Sequence, residues 1–240
     1  MKLLSLFFKR ETAAPMLALT FASGVCGAVI LARIAWTGNL YYGFLIWNLF
    51  LAWLPLVFAL LARDHYRHGT RPTLRLAGFM LGWLLFFPNA PYICTDLIHL
   101  TTHFYMHFWV DLVLILMCAF TGLVIGFLSL YLMQSIVTGM YGRVASWIFI
   151  AIAASLGSLG IFLGRFLRFN SWDVVTQPAK LYREVGMWRA HSAYYPTSIA
   201  FPVLFAAFLF IAYVMLYALT HLSPAHPVAS SRAAEAMGDA

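Results

Sequence analysis

The sequence predicts an all-α, polytopic integral membrane protein with about six transmembrane helices, and three observations predict it. Of 240 residues, 63% are hydrophobic and 10% charged, with mean hydropathy +0.84, whereas soluble domains carry roughly 25% charged residues. Apolar runs approaching the ~20 residues that cross hydrocarbon recur along the chain. Small residues also recur at four-residue spacing, as Ser23/Gly27, Gly78/Gly82, Gly122/Gly126 and Gly160/Gly164. Such pairs let helix backbones approach closely where lipid supplies no hydrophobic drive for association. They fit packing within the chain, and also a homo-oligomer or another membrane partner docked on Gly-rich faces.

The first span covers residues 16–34, after Lys2, Lys9 and Arg10. It is long enough to cross and lacks a small-x-small cleavage site, so it reads as retained rather than as a signal peptide. Residues 41–62 form the second span, with Asn48 and Pro55 inside it. The third, residues 74–87, is short and ends at Pro88-Asn89-Ala90-Pro91. Two prolines bar an unchanged helix and push the residue before each toward extended backbone. A broken helix is tolerated at membrane depth only against protein or a wet cavity. Spans four to six follow at residues 108–133, 144–166 and 197–220.

Between the last two, residues 178–191 read as an interfacial amphipathic helix. Leu181, Val185 and Trp188 share a stripe, with Lys180, Arg183, Glu184 and Arg189 mostly elsewhere. Tyr194, Tyr195 and Pro196 mark re-entry into the bilayer. Residues 1–221 thus form one transmembrane domain, and the Pro-, Ala- and Ser-rich residues 222–240 a disordered cytoplasmic tail.

A net charge of +7 points to anchoring on a membrane surface through Lys and Arg. The basic residues are scattered and no nucleic-acid motif accompanies them, so the partner is the lipid bilayer. With both termini cytoplasmic, nine Lys and Arg fall inside and six outside: Arg33, Arg165, Arg168, Lys180, Arg183 and Arg189. Cys26, Cys94 and Cys118 show no metal-binding spacing, and no disulfide is expected.

Three groups of polar residues carry candidate chemistry at the outer face. Asn89, Asp96 and His99 follow the proline break; an Asp–His pair three residues apart can orient a general base, making Asp96 and His99 candidate catalytic residues. The same residues could instead cap helix ends or sit at headgroup level. His99, His103 and His107 recur every four residues between Asp96 and Asp111, a spacing that could hold a divalent metal if one helix ran through it. An interfacial histidine stripe without metal fits the spacing equally. Finally, Arg165, Arg168, Asn170 and Asp173 close span five. Two arginines there suit a phosphate or carboxylate, or complement the helix dipole and snorkel. Asp111, at the head of span four, needs a partner in so apolar a setting; His107 or a span-five arginine could serve.

Phe87-Pro88-Asn89-Ala90-Pro91-Tyr92, Thr95-Asp96-Leu97-Ile98-His99-Leu100 and Gly164-Arg165-Phe166-Leu167-Arg168 through Asn170-Ser171-Trp172-Asp173 carry a resemblance. With Asp111 and Gly126-Phe127-Leu128-Ser129-Leu130-Tyr131, they resemble a bacterial membrane-protein family, domain of unknown function 1361. Phe169 stands where that pattern has tryptophan, and His103 and His107 are not part of it. The resemblance implies a multi-pass protein of the bacterial inner membrane and brings no reaction with it. Three functions stay open: a pocket of Asn89, Asp111, Arg165, Arg168, Asn170 and Asp173 for an anionic lipid or envelope intermediate; a hydrolase or transferase based on Asp96 and His99; and an accessory subunit.

Overall fold

The computed structural model describes residues 13–69, 73–101, 107–191 and 196–220. His103, Tyr194, Tyr195, Arg71, the N-terminal basic residues and the expected tail lie outside them. The described residues are helical and contain no strand: α1 (Ala13–Thr37), α2 (Phe44–His68), α3 (Leu74–Phe86), α4 (Asn89–Tyr92), α5 (Phe108–Phe166), α6 (Asp173–Thr176), α7 (Pro178–His191) and α8 (Pro196–Thr220). Short 3₁₀ segments occupy Tyr41–Gly43 and Ile93–Thr101. With α3 continued through the break, the spans have the length and apolarity to cross a bilayer.

At 1.5 Å per residue α5 would extend roughly 90 Å, far beyond one membrane. It folds back at Gly142, whose φ of 85° and ψ of 177° interrupt the helix. That backbone region is almost exclusive to glycine, so spans four and five meet at one residue. The sequence placed a ten-residue connection there; helix instead fills it to the turn. The two halves of α5 form the hub, and α1, α2, α8, α4 and the second 3₁₀ segment all pack against it.

The break itself departs from expectation. Phe87 and Pro88 stay in right-handed helical geometry, at φ/ψ −53°/−41° and −57°/−28°. The backbone tightens rather than extends: Ala90 N–H donates to Phe87 O (3.2 Å). That leaves Phe86 O without its helical donor, and Asn89 Nδ2 takes the place at 3.0 Å. The prolines are accommodated because a neighbouring amide side chain re-satisfies the backbone.

Tight packing fixes the break in position. An added Cβ at Gly122 would lie 2.8 Å from Ala90 O, at Gly126 2.9 Å from Ala90 Cβ, and at Gly160 2.5 Å from Pro88 Cγ. Gly157 similarly receives the Phe87 ring and Gly164 the Tyr92 ring. Residues 87–92 are therefore wedged between glycine faces on both halves of α5. By contrast, an added Cβ at Gly24, Gly27 or Gly78 would meet no other described part of the chain within 4 Å. Two of the four predicted small-residue pairs thus serve the chain's own fold, and Gly82 meets Phe58. Indole-to-serine bonds join further helices, Trp83 Nε1 to Ser129 Oγ (3.0 Å) and Trp53 Nε1 to Ser23 Oγ (3.1 Å).

Replacing Gly122 or Gly160 by alanine forces backbone or a rigid ring to move, so each variant should lose about 1–3 kcal/mol. Gly78→Ala, which meets open space, should be neutral or slightly stabilising. Unfolding midpoints of the purified protein in detergent check the difference.

Candidate functional site

The 3₁₀ segment after the break turns Thr95, Asp96 and His99 inward against Arg165, near the end of α5. Asp96 is 1% exposed. Its Oδ1 accepts from Arg165 Nη2, and its Oδ2 from Asn48 Nδ2 at 2.9 Å. Thr95 Oγ1 accepts from Arg165 Nε (3.0 Å) and Nη2 (2.7 Å), and donates to Tyr92 O (2.7 Å). The guanidinium also lies 4.4 Å from the Tyr92 ring centroid, a cation–π contact. Arg165 is thereby held on several sides.

His99 joins this cluster in a way that does not match an Asp–His base pair. Its Nε2 lies 3.8 Å from Asp96 Oδ1, beyond hydrogen-bond length, and 3.4 Å from Arg165 Nη1. Tyr41 OH stands 3.0 Å from Nδ1. Guanidinium can only donate, so a bond to Arg165 engages the Nε2 lone pair that a general base would use.

A second ion pair closes the neighbouring side of the bundle. Arg33 Nε and Nη2 donate to Asp111 Oδ1 and Oδ2 at 2.7 and 3.1 Å, a two-pronged contact. The expected partners of Asp111, His107 or a span-five arginine, are thus corrected to an arginine of α1. His107 instead packs on the Trp36 ring, centroids 4.8 Å apart. Among the described residues no three His, Cys, Asp or Glu side chains group as a metal site would. Asp173 accepts from its own turn, Asn170 N (2.6 Å) and Thr176 Oγ1 (3.3 Å), rather than from an arginine.

Arg168 departs from this pattern of internal pairing. It is exposed, has no hydrogen-bond or ion-pair partner among the described residues, and holds φ at +57°. A left-handed conformation costs a non-glycine residue roughly 1–2 kcal/mol. Arg168 stands on the rim of a groove of about 590 Å³ between α2, α3, the second half of α5 and α7. Helical order sets a gradient along it. Leu51, Leu81, Leu156 and Leu159 line the deeper part, while Asn48, Asn89, Arg168, Asn170 and Ser171 line the end at the break. Leu181, from the stripe read in the sequence, covers that end, and Trp188 of the same stripe packs on Phe162 at 5.2 Å.

Of the predicted ligand residues, the groove therefore gathers Asn89, Arg168 and Asn170, while Arg165, Asp111 and Asp173 face protein partners. Asn48, Arg33 and Tyr41 went unnoticed as site residues. Asn48 and Arg33 carried a usable signal, being polar within apolar spans.

Asp111→Ala should leave the Arg33 charge buried without its counter-ion and cost about 3–5 kcal/mol. A double replacement of Arg33 by Met and Asp111 by Leu should recover most of that loss. Thermal unfolding of the single and double variants checks the coupling.

No curated protein and no solved structure matches this chain. A family model does match, over residues 47–215. That range includes the break, the Asp96–Arg165 pair and the whole groove, but not Arg33 or Tyr41. The chain belongs to the family described as protein of unknown function, DUF1361.

Proposed function

We propose that the protein binds an anionic amphiphile in the groove, its charged head at Arg168 and its hydrocarbon tail along the leucines. The observation that carries this reading is the gradient: one continuous groove runs from a leucine-lined end to a polar rim with an unpaired guanidinium. An amphiphile is the ligand whose own polarity changes along its length in this way. A second feature supports it. Arg168 occupies a backbone position that glycine would fill with less strain, and strained residues cluster at ligand sites. Arg165 serves as the support behind the site, since its charge is already matched by Asp96.

Orientation follows the same electrostatics. Arg33 and Arg165 are neutralised within the bundle, so they drop out of the positive-inside comparison. The six basic residues on the break side fall to four, against nine opposite. We place the break and the groove's polar rim at the outer face of the bacterial inner membrane, with both termini cytoplasmic. A Tyr182→Cys variant carrying Cys94→Ser tests this, because Tyr182 is 84% exposed on α7, Cys26 and Cys118 are buried, and the half-buried Cys94 is removed. A membrane-impermeant thiol reagent should label it in intact spheroplasts; labelling confined to inverted vesicles would reverse the orientation.

Arg168→Gly separates binding from stability. Removing the left-handed strain should stabilise the fold by about 1 kcal/mol, while binding of anionic lipid weakens at least tenfold. Lipid titration by native mass spectrometry, with unfolding midpoints alongside, checks both. Unchanged lipid binding in this variant would remove the proposed function.

A further inference from the structure

We infer that the groove selects an anionic phosphate amphiphile whose head also carries hydroxyl donors, such as a phosphoglycerol or a phosphate bearing a sugar. This rests on the groove reading above and names the chemistry of its ligand. The inference comes from two asparagines on the rim, Asn48 and Asn89. Which end of each amide points where is fixed by its partners. Asn89 Nδ2 lies 3.0 Å from the carbonyl oxygen of Phe86, which can only accept. Asn48 Nδ2 lies 2.9 Å from the Asp96 carboxylate, paired with Arg165 and likewise an acceptor. Each amide nitrogen therefore donates at least one proton to the protein behind the groove. Asn89 Nδ2 also donates to Ser171 Oγ at 2.9 Å.

What remains is the carbonyl oxygen of each asparagine, together with the second N–H of Asn48. Neither carbonyl has a hydrogen-bond partner among the described residues, and neither is a buried orphan. The rim thus offers one cation and, from Asn48, Asn89 and Asn170, amide carbonyl acceptors; on the donor side it has the second N–H of Asn48 and Ser171, which accepts from Asn89 and keeps its own hydroxyl proton to give. A bare phosphate would satisfy Arg168 and Ser171 and leave the carbonyls facing acceptor oxygens. A head that pairs its negative charge with hydroxyl groups satisfies the whole set. Phosphatidylglycerol and polyprenyl phosphates carrying a sugar share this chemistry.

The test compares lipids of equal charge. The full-length protein, in phosphatidylcholine nanodiscs, is titrated with dioleoyl phosphatidylglycerol and with dioleoyl phosphatidylmethanol. Both carry one negative charge and the same tails, but only the first has head hydroxyls. The added hydrogen bonds should favour phosphatidylglycerol by roughly tenfold, and the ratio should persist in Arg168→Gly as both affinities fall. Equal saturable binding of the two lipids, lost in Arg168→Gly, would overturn this inference and leave the groove reading standing. Failure of both to saturate would overturn the two together. A parallel pair of equal charge, a polyprenyl phosphate esterified to one hexose against the same polyprenyl phosphate esterified to methanol, separates the sources: whichever hydroxylated ligand binds tighter names the tail. Preference for neither hydroxylated member in either pair again overturns the inference.

Discussion

Everything at the functional end depends on the wedge of residues 87–92 between the two glycine faces of α5. The break brings two prolines and an irregular backbone into a place where lipid could satisfy none of its polar groups. Close approach to Gly122, Gly126 and Gly160 surrounds it with protein on both sides. That approach also sets the depth of the following 3₁₀ segment, and so where Asp96 meets Arg165. Nine residues of 3₁₀ geometry are unusually many. Thr95, Asp96 and His99 on the segment each have a partner on α2, α5 or the Tyr41 turn.

The charges divide by the same logic. An ion inside a low-dielectric bundle is costly unless paired and hydrogen-bonded. Asp96 with Arg165 and Asp111 with Arg33 meet that condition, and each pair links helices distant in sequence: the third-span segment to the fifth, the first to the fourth. They act as stitches across the end of the bundle. Charges committed in this way are not available to a ligand. Arg168, exposed and without a partner among the described residues, lies just past the helix end, where its head can stay solvated.

Much of this was legible in the sequence because the membrane imposes simple rules. Span length, the proline break, the amphipathic stripe and two of the four small-residue pairs followed from periodicity and composition, and Asp96, Asp111, Arg165 and Arg168 stood out, whereas Asn48, Arg33 and Tyr41 did not. Their assignments were harder. Asp96 and His99 are three apart and look like a dyad, yet Arg165 enters between their roles from 66 residues away from His99. Asp111 found Arg33 across 78 residues. No local spacing encodes either partner, because helix packing alone decides which polar residues face one another. Arg165 and Arg168 likewise read as one clamp from sequence. Three residues apart across a helix terminus, with Arg168 in the left-handed conformation, they separate into a buried stitch and an exposed cation.

That separation makes Arg168 the place where local stability and binding oppose each other. A helix terminus of this kind favours glycine, which carries no penalty at positive φ. Arginine there accepts strain and carries a charge into the apolar margin of a membrane, with no protein partner to offset either. Ordinary C-terminal dipole complementation does not need the strained position, since Arg165 already sits in the last turn of α5. Nor does snorkelling explain the neighbours, because the carbonyl oxygens of Asn48 and Asn89 have no hydrogen-bond partner among the described residues. The three side chains make sense together if the missing partner is a molecule lying in the groove, with an anion for the guanidinium and donors for the two carbonyls.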